Sequence, residues 1–254
     1  MQNTHVKNMP SLTVIVPAYK KAGILEPFTE IVIGVLNKLG FEDLEILIIT
    51  NTDKTGVCDA TPAVAKALAV RYSNIKDIHN ARYVNLGFKY RQGVDLATKE
   101  YITCILCDDE INEGVVTSIF SHIGEADVIL SYTANMEWRT LFRRILSRIF
   151  TRLCNFLFGL KVIYYNGTSI YKRELLRSLD LRNNGLAYNV EAFVSAVKSH
   201  PDLTYKEIPV ILSRGKPSGF VLKPHNFIEV GKTLLRLFWL VRFQPKRLVK
   251  NTQS

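Results

Sequence analysis

Short apolar runs alternate along this chain with longer segments whose apolar residues recur every three or four positions. Leu12-Thr13-Val14-Ile15-Val16-Pro17 is a β-branched run that stops at a proline, which predicts a strand. Glu26–Leu39 has apolar residues at 28, 31, 32, 35, 36 and 39, the spacing of one helix face, and Gly40 ends it. Leu44–Ile49 predicts a second strand, the polar stretch 50–56 a loop, Asp59–Tyr72 a second helix and Ile75–His79 a third strand. Asn85-Leu86-Gly87 reads as a turn leading into a helix that runs to Lys99. Tyr101–Leu106 reads as a buried strand, Glu113–Ile123 as a helix and Asp127–Ser131 as another strand. This alternation predicts an α/β fold with a mostly parallel sheet flanked by helices.

The strand at Tyr101 runs into Cys107-Asp108-Asp109-Glu110. In open α/β sheets ligands bind at the carboxyl ends of strands, so three acids there are a candidate site. An inert acidic loop that caps the next helix is the plainer reading, with Asp109 as the cap. Asp108 and Glu110 alternate, so on extended backbone both face one ion. No G-x-G-x-x-G and no G-x-x-x-x-G-K-[ST] occurs, which removes the main support for dinucleotide and P-loop sites.

Charge changes the picture more than composition does. The 254 residues carry a net +10. Met136–Lys161 holds six basic residues against Glu137, and Lys223–Lys250 holds seven against Glu229, so the rest of the chain is close to neutral. Both segments also carry amphipathic helical patterns. One has Trp138, Leu141, Phe142, Ile145, Leu146, Ile149, Phe150, Leu153, Phe156 and Leu157 in a broad stripe with Thr140, Ser147, Thr151 and Asn155 opposite. The other is Phe227–Phe243, followed by Pro245-Lys246-Arg247. Arginines bordering an apolar stripe suit a membrane surface, where their stems lie on the bilayer and their heads reach lipid phosphates. Nucleic-acid surfaces are more polar, so a nucleic-acid partner is not expected. No signal peptide and no spanning helix is expected, which leaves a peripheral, cytoplasmic association, with room for a membrane-embedded partner subunit. Cys58, Cys104, Cys107 and Cys154 lack zinc spacing and read as small buried thiols. The five histidines form no ligand spacing and read as surface or capping residues.

Val-Ile-Val-Pro-Ala-Tyr (14–19), Asn-Leu-Gly (85–87) and a strand ending in acids resemble the nucleotide-sugar domain of glycosyltransferase family 2, whose fold is GT-A. Arg143 and Ser147, Asn155, Gly159-Leu160, Tyr165-Asn166-Gly167 and Tyr171-Lys172-Arg173 resemble the middle of dolichol-phosphate mannose synthases and related polyprenyl-phosphate glycosyltransferases. Gly185, Tyr188-x-Val190-Glu191, Glu207-Ile208-Pro209, Arg214 and Ser218 continue the order. The resemblance implies a GT-A domain over 1–225, with amphipathic interface helices at 136–160, and a basic C-terminal helix and tail at 226–254. It implies inverting transfer of a sugar from a UDP- or GDP-linked donor to a polyprenyl phosphate. The donor site would comprise Pro17, Ala18, Tyr19, Lys21, Asn51, Asn85, Gly87, Asp108, Asn166 and Glu191. Magnesium or manganese would sit on Asp108 and Glu110, with Arg143, Ser147, Arg214 and Ser218 at the acceptor phosphate.

Three positions depart from the family. An aspartate is expected at Leu106, an acid where Lys20-Lys21 stands, and an acidic pair near Thr50-Asn51. These departures leave open drift among nucleotide contacts, a different donor with Lys21 at the leaving group, or a relative that binds a membrane or partner without catalysis. A transferase with a non-lipid acceptor is a further alternative.

Overall fold

The computed structural model describes residues 9–213 and 224–250. A seven-stranded sheet runs through it, formed by β1 (Leu12–Pro17), β2 (Leu44–Asn51), β3 (Ile75–Asn80), β4 (Tyr101–Cys104), β5 (Val128–Thr133), β6 (Ser169–Lys172) and β7 (Tyr205–Val210). Their order is β3-β2-β1-β4-β6-β5-β7. β3, β2, β1 and β4 are parallel neighbours, β6 runs antiparallel to both β4 and β5, and β7 is parallel to β5. The helices are α1 (Ala22–Lys38), α2 (Thr61–Arg71), α3 (Leu86–Leu96), α4 (Glu113–Phe120), α5 (Leu141–Phe158), α6 (Arg173–Ser178), α7 (Tyr188–Ser199) and α8 (Pro224–Phe243).

Successive strand residues point to opposite faces, and the two cores follow that period. Leu12, Val14, Val16, Ile46 and Ile48 join one core with α1, α2 and α4. Ile15, Leu47 and Ile49 join the other with α3, α7 and parts of α5 and α8. Strands buried on both faces explain the near-continuous apolar runs of β1 and β2. Leu234, Leu237 and Leu248 lie in that second core, so residues 226–250 are built into the domain rather than standing apart from it.

Local boundaries differ from the sequence expectation for definite reasons. α1 starts at Ala22 and accommodates Pro27. Leu86 and Gly87 form the first turn of α3 and are not a separate turn. Gly87 is there because the chain at 183–185 crosses it: a Cβ would lie 2.7 Å from the Asn183 carbonyl oxygen. Asn112, not Asp109, caps α4, accepting from the Val115 amide at 2.9 Å.

The broad apolar stripe of α5 divides in two. Cys154 and Phe158 are buried and Phe150 and Leu157 pack against the core, whereas Leu141, Phe142, Ile145, Ile149, Leu153 and Phe156 are exposed. Phe227, Ile228, Leu235, Phe238, Trp239 and Phe243 are exposed on α8, which touches α5. Among the described residues no helix is long and apolar enough to cross a membrane.

Candidate active site

Beyond β4 the Ile105 amide still bonds the Ile15 carbonyl, at 3.0 Å, so the chain follows β1 until it turns at Asp108. The Asp108 carboxylate then accepts from the Glu110 amide at 3.0 Å. This turn replaces the extended backbone expected for 108–110, and both acids line the space beside it. A cleft opens here, lined by Leu106, Asp108, Glu110, Ser131, Thr133, Arg139, Tyr164, Asn166, Thr168 and Tyr188 among others. β5 contributes Ser131 and Thr133. Gly167, just before β6, passes so close to β5 that a Cβ there would overlap the Ser131 carbonyl.

Burial raises the Asp108 carboxyl above its ordinary range, and Glu110 and Asp109 add to that, while Lys21 opposes it. An ionised Asp108 is therefore short of positive charge. Glu110 is not: its carboxylate takes the Arg139 guanidinium at 3.3 Å, and Arg139 also donates to the Tyr164 hydroxyl at 3.0 Å. Burial works to lower the Arg139 pKa, but Tyr164 and Glu110 outweigh it and hold the guanidinium charged. Leu106 presents an apolar side chain to the same cleft.

Among the described residues no three His, Cys, Asp or Glu side chains gather as a metal cage. The donor set fits a cation held by one protein carboxylate, the half-buried Asp108, which forms no ion pair among the described residues. Magnesium is commonly held in this way, by one or two carboxylates together with substrate phosphates. Glu110, expected beside Asp108 as a second ligand, has one carboxylate oxygen on Arg139.

The carboxyl ends of β1–β3 bring a second group together. Tyr19 and Tyr83 meet edge to face, with ring centroids 5.8 Å apart. Lys20 and Lys89 lie 5.5 and 5.6 Å from the Tyr19 ring, and Lys54 lies 5.3 Å from the Tyr83 ring. Lys89 is 3% exposed and donates to the Ala18 carbonyl at 3.2 Å. Burial lowers its pKa to about 8. The Lys21 amide donates to Thr61 Oγ1, and Asn51 and Thr52 are buried with Asn51 Oδ1 and Thr52 Oγ1 unbonded. Asn85 is exposed just before α3.

The expected residues thus divide. Pro17, Ala18, Tyr19, Lys21, Asn51, Asn85 and Gly87 belong to the β1–β3 ends and the start of α3, and Asp108 and Asn166 line the cleft. Glu191 does not line it. It is 1% exposed, and its carboxylate is taken by the Arg182 and Asn183 amides at 3.0 and 2.7 Å and by Arg236 of α8. A sugar has no free edge of that carboxylate to bind. Arg143 and Ser147 are half-buried on the side of α5 that carries Cys154 and Phe158, away from its exposed stripe, and do not line the cleft. Arg214 and Ser218 lie outside the described residues. Cys104, Cys107 and Cys154 are buried free thiols, and burial pushes each up to about 12, whereas Cys58, expected to be buried, is exposed in the loop before α2. His79 is more engaged than a surface residue, bonding Thr50 Oγ1 at 2.9 Å.

Arg139, Tyr164, Tyr83 and Lys89 are site residues that the sequence pattern did not single out. Arg139 is hidden in a run of arginines. Lys89 carried a readable signal: it is a lone charge beside Gly87, Tyr90 and Val94, on the buried face of α3.

The family model for glycosyl transferase family 2 matches residues 13–180. No curated protein matches the chain significantly. Solved structures of glucosyl-3-phosphoglycerate synthase from Mycobacterium tuberculosis share its fold. The complex with Mn2+, uridine diphosphate and phosphoglyceric acid is 16% identical, covering 92% of this chain and 80% of that one, at a TM-score of 0.64. The complex with Mn2+, UDP-glucose and phosphoglyceric acid is 14% identical over 92% and 81%, at 0.66. The complex with Mg2+ and UDP is 13% identical over 97% and 83%, at 0.64.

Proposed function

Because the chain belongs to glycosyl transferase family 2, we propose that it transfers a sugar from a nucleoside diphosphate to a polyprenyl phosphate at a membrane surface, in the manner of dolichol-phosphate mannose synthases. The observation that carries this reading is the exposed apolar stripe of α5 beside that of α8. Phe142, Ile149 and Phe156 are 61%, 57% and 84% exposed on a helix that also carries Arg143, Arg144, Arg148 and Arg152 and no acid. An exposed apolar patch of this kind marks an interaction surface. Its excess of arginine selects an anionic lipid surface, each basic residue adding about 1 kcal/mol of attraction. In this reading the protein is a peripheral membrane enzyme on the cytoplasmic face, where nucleotide sugars are available, with room for a membrane-embedded partner.

The reaction follows from the two halves of the site. The Tyr19–Tyr83 pair offers aromatic surface to a nucleobase, and Lys20, Lys21 and Lys54 offer charge to a uridine or guanosine diphosphate. A bound magnesium or manganese ion, held by Asp108 and the donor's own phosphates, would stabilise the leaving diphosphate. The acceptor phosphate is ionised at neutral pH and needs no general base to attack the anomeric carbon. It needs only positioning by cations and hydroxyls, and Arg143 and Ser147, which lie outside the cleft, are not placed to give it there. Direct displacement inverts the anomeric centre. Asn166, Thr133 and Thr168 line the space left for the sugar.

A second reading replaces the lipid by a soluble phosphorylated acceptor. It is favoured by the fold shared with enzymes crystallised with phosphoglyceric acid. Incubation with labelled UDP-glucose and GDP-mannose, with polyprenyl phosphate in vesicles, tests the first reading. Label extracted into organic solvent supports it. Turnover of donor with no labelled lipid from either nucleotide contradicts it.

A further inference from the structure

Arg139 is the only lysine or arginine that lines the cleft among the described residues. Two of its guanidinium nitrogens are engaged, one by Tyr164 and one by Glu110. A guanidinium carries five N–H donors in a planar fork, so donors remain. Its pair with Glu110 is only partly covered, the side chains being 22% and 26% exposed, and it is a single contact at 3.3 Å. A phosphate is a better partner, because it takes the fork in two parallel charge-assisted bonds. The surroundings agree. α5 begins two residues after Arg139, with no side-chain cap and no acid in its first turn. Its unpaired amides and dipole therefore add positive potential beside the guanidinium.

We propose that Arg139 is the cleft's ligand for the phosphate monoester of the acceptor, and that Glu110 holds its place until the acceptor arrives. When the phosphate takes the guanidinium, Glu110 is released beside Asp108. The second carboxylate at the end of β4 then becomes available only with an acceptor in the cleft. Acceptor binding thereby completes the donor end of the site, which restrains loss of the donor sugar to water. By linkage, a ligand that recruits Glu110 strengthens acceptor binding by the same factor. The inference rests on the transferase reading for the site, and it names the acceptor's phosphate monoester without depending on a lipid.

Calorimetry on the full chain, without donor, tests it with two probes: geranyl phosphate for the lipid source and 3-phosphoglycerate for the soluble one. Arg139→Gln weakens binding of the recognised probe at least tenfold, and Arg139→Lys keeps part of it. Glu110→Gln tightens it several-fold, because the guanidinium is set free. That opposite sign is what a merely structural ion pair cannot produce. Unchanged binding in Arg139→Gln overturns the proposal. So does equal weakening in Glu110→Gln and Arg139→Gln, or binding of neither probe by the unaltered chain. If only 3-phosphoglycerate binds, and does so through Arg139, the assignment stands while the lipid acceptor falls.

Discussion

Arg236 of α8 donates to Glu191 of α7, a carboxylate that also accepts the amides of Arg182 and Asn183. One buried acid thus ties the C-terminal helix, α7 and the 182–183 segment together. Removing one partner of such a pair leaves an uncompensated buried charge. Arg236→Met is therefore expected to lower unfolding stability by about 3 kcal/mol, read as a shift of the urea midpoint. A midpoint equal to that of the unaltered chain would mean that the pair does not hold α8.

Asp108 should show the reverse relation between stability and activity. Burial raises its folded pKa. The stability linked to its neutral form is present below the ordinary aspartate range and is lost as pH rises through the folded value. At pH 7 the ionised carboxylate is thus a cost to the fold. Asp108→Asn is expected to match or exceed the unaltered chain in melting temperature at pH 7, while transfer falls by about two orders of magnitude. A large drop in melting temperature with activity retained would remove Asp108 from the site.

Lys89 gives a test with a defined pH window. Its folded value is about 8 against an ordinary 10.5, with burial as the cause. It faces the Ala18 carbonyl and the Tyr19 ring. The unfolded chain therefore binds the extra proton between about pH 8 and 10.5, and stability from this group rises across that window. Lys89→Met should be more stable than the unaltered chain at pH 7, by on the order of 2 kcal/mol. The difference should shrink by pH 10. Denaturant titrations at both pH values measure it, and a constant difference would contradict a desolvated lysine.

The exposed face of α5 separates membrane contact from folding. Phe142, Ile149 and Phe156 are all exposed, so changing all three to serine should leave the melting temperature almost unchanged. Flotation with anionic vesicles should fall at least tenfold, since each buried aromatic or aliphatic side chain adds about 1.5–3 kcal/mol to partitioning. Flotation equal to that of the unaltered chain would place the membrane contact elsewhere.

The parallel half of the sheet was legible because β1, β2 and β4 are buried on both faces and read as unbroken apolar runs. β6 was not legible: four residues, Ser169–Lys172, are too few to show a period. β7 is an edge strand whose exposed positions include Tyr205, Lys206 and Pro209, so its apolar signal is thin. At the site, residues named by type and place at strand ends came together, as Asp108 and Asn166 did. What could not be read were the long-range partners. Nothing local to Glu191 announces Arg236, 45 residues away, and nothing local to Glu110 announces Arg139. Gly87 was legible as a turn glycine but exists for a different reason. Gly87→Ala should cost about 1–3 kcal/mol through overlap with the 183–185 backbone, checked by thermal melting. A neutral outcome would show that the crossing segment can yield.

The lipid-acceptor reading is tested most directly by competition in one vessel. The full chain, a labelled nucleotide sugar and magnesium or manganese are incubated with equal phosphate as polyprenyl phosphate in anionic vesicles and as 3-phosphoglycerate in solution. The label is then partitioned between organic and aqueous phases. Most transferred label is expected in the lipid phase, and it is lost when Asp108 is changed to Asn. Label confined to a phosphorylated water-soluble product would contradict it.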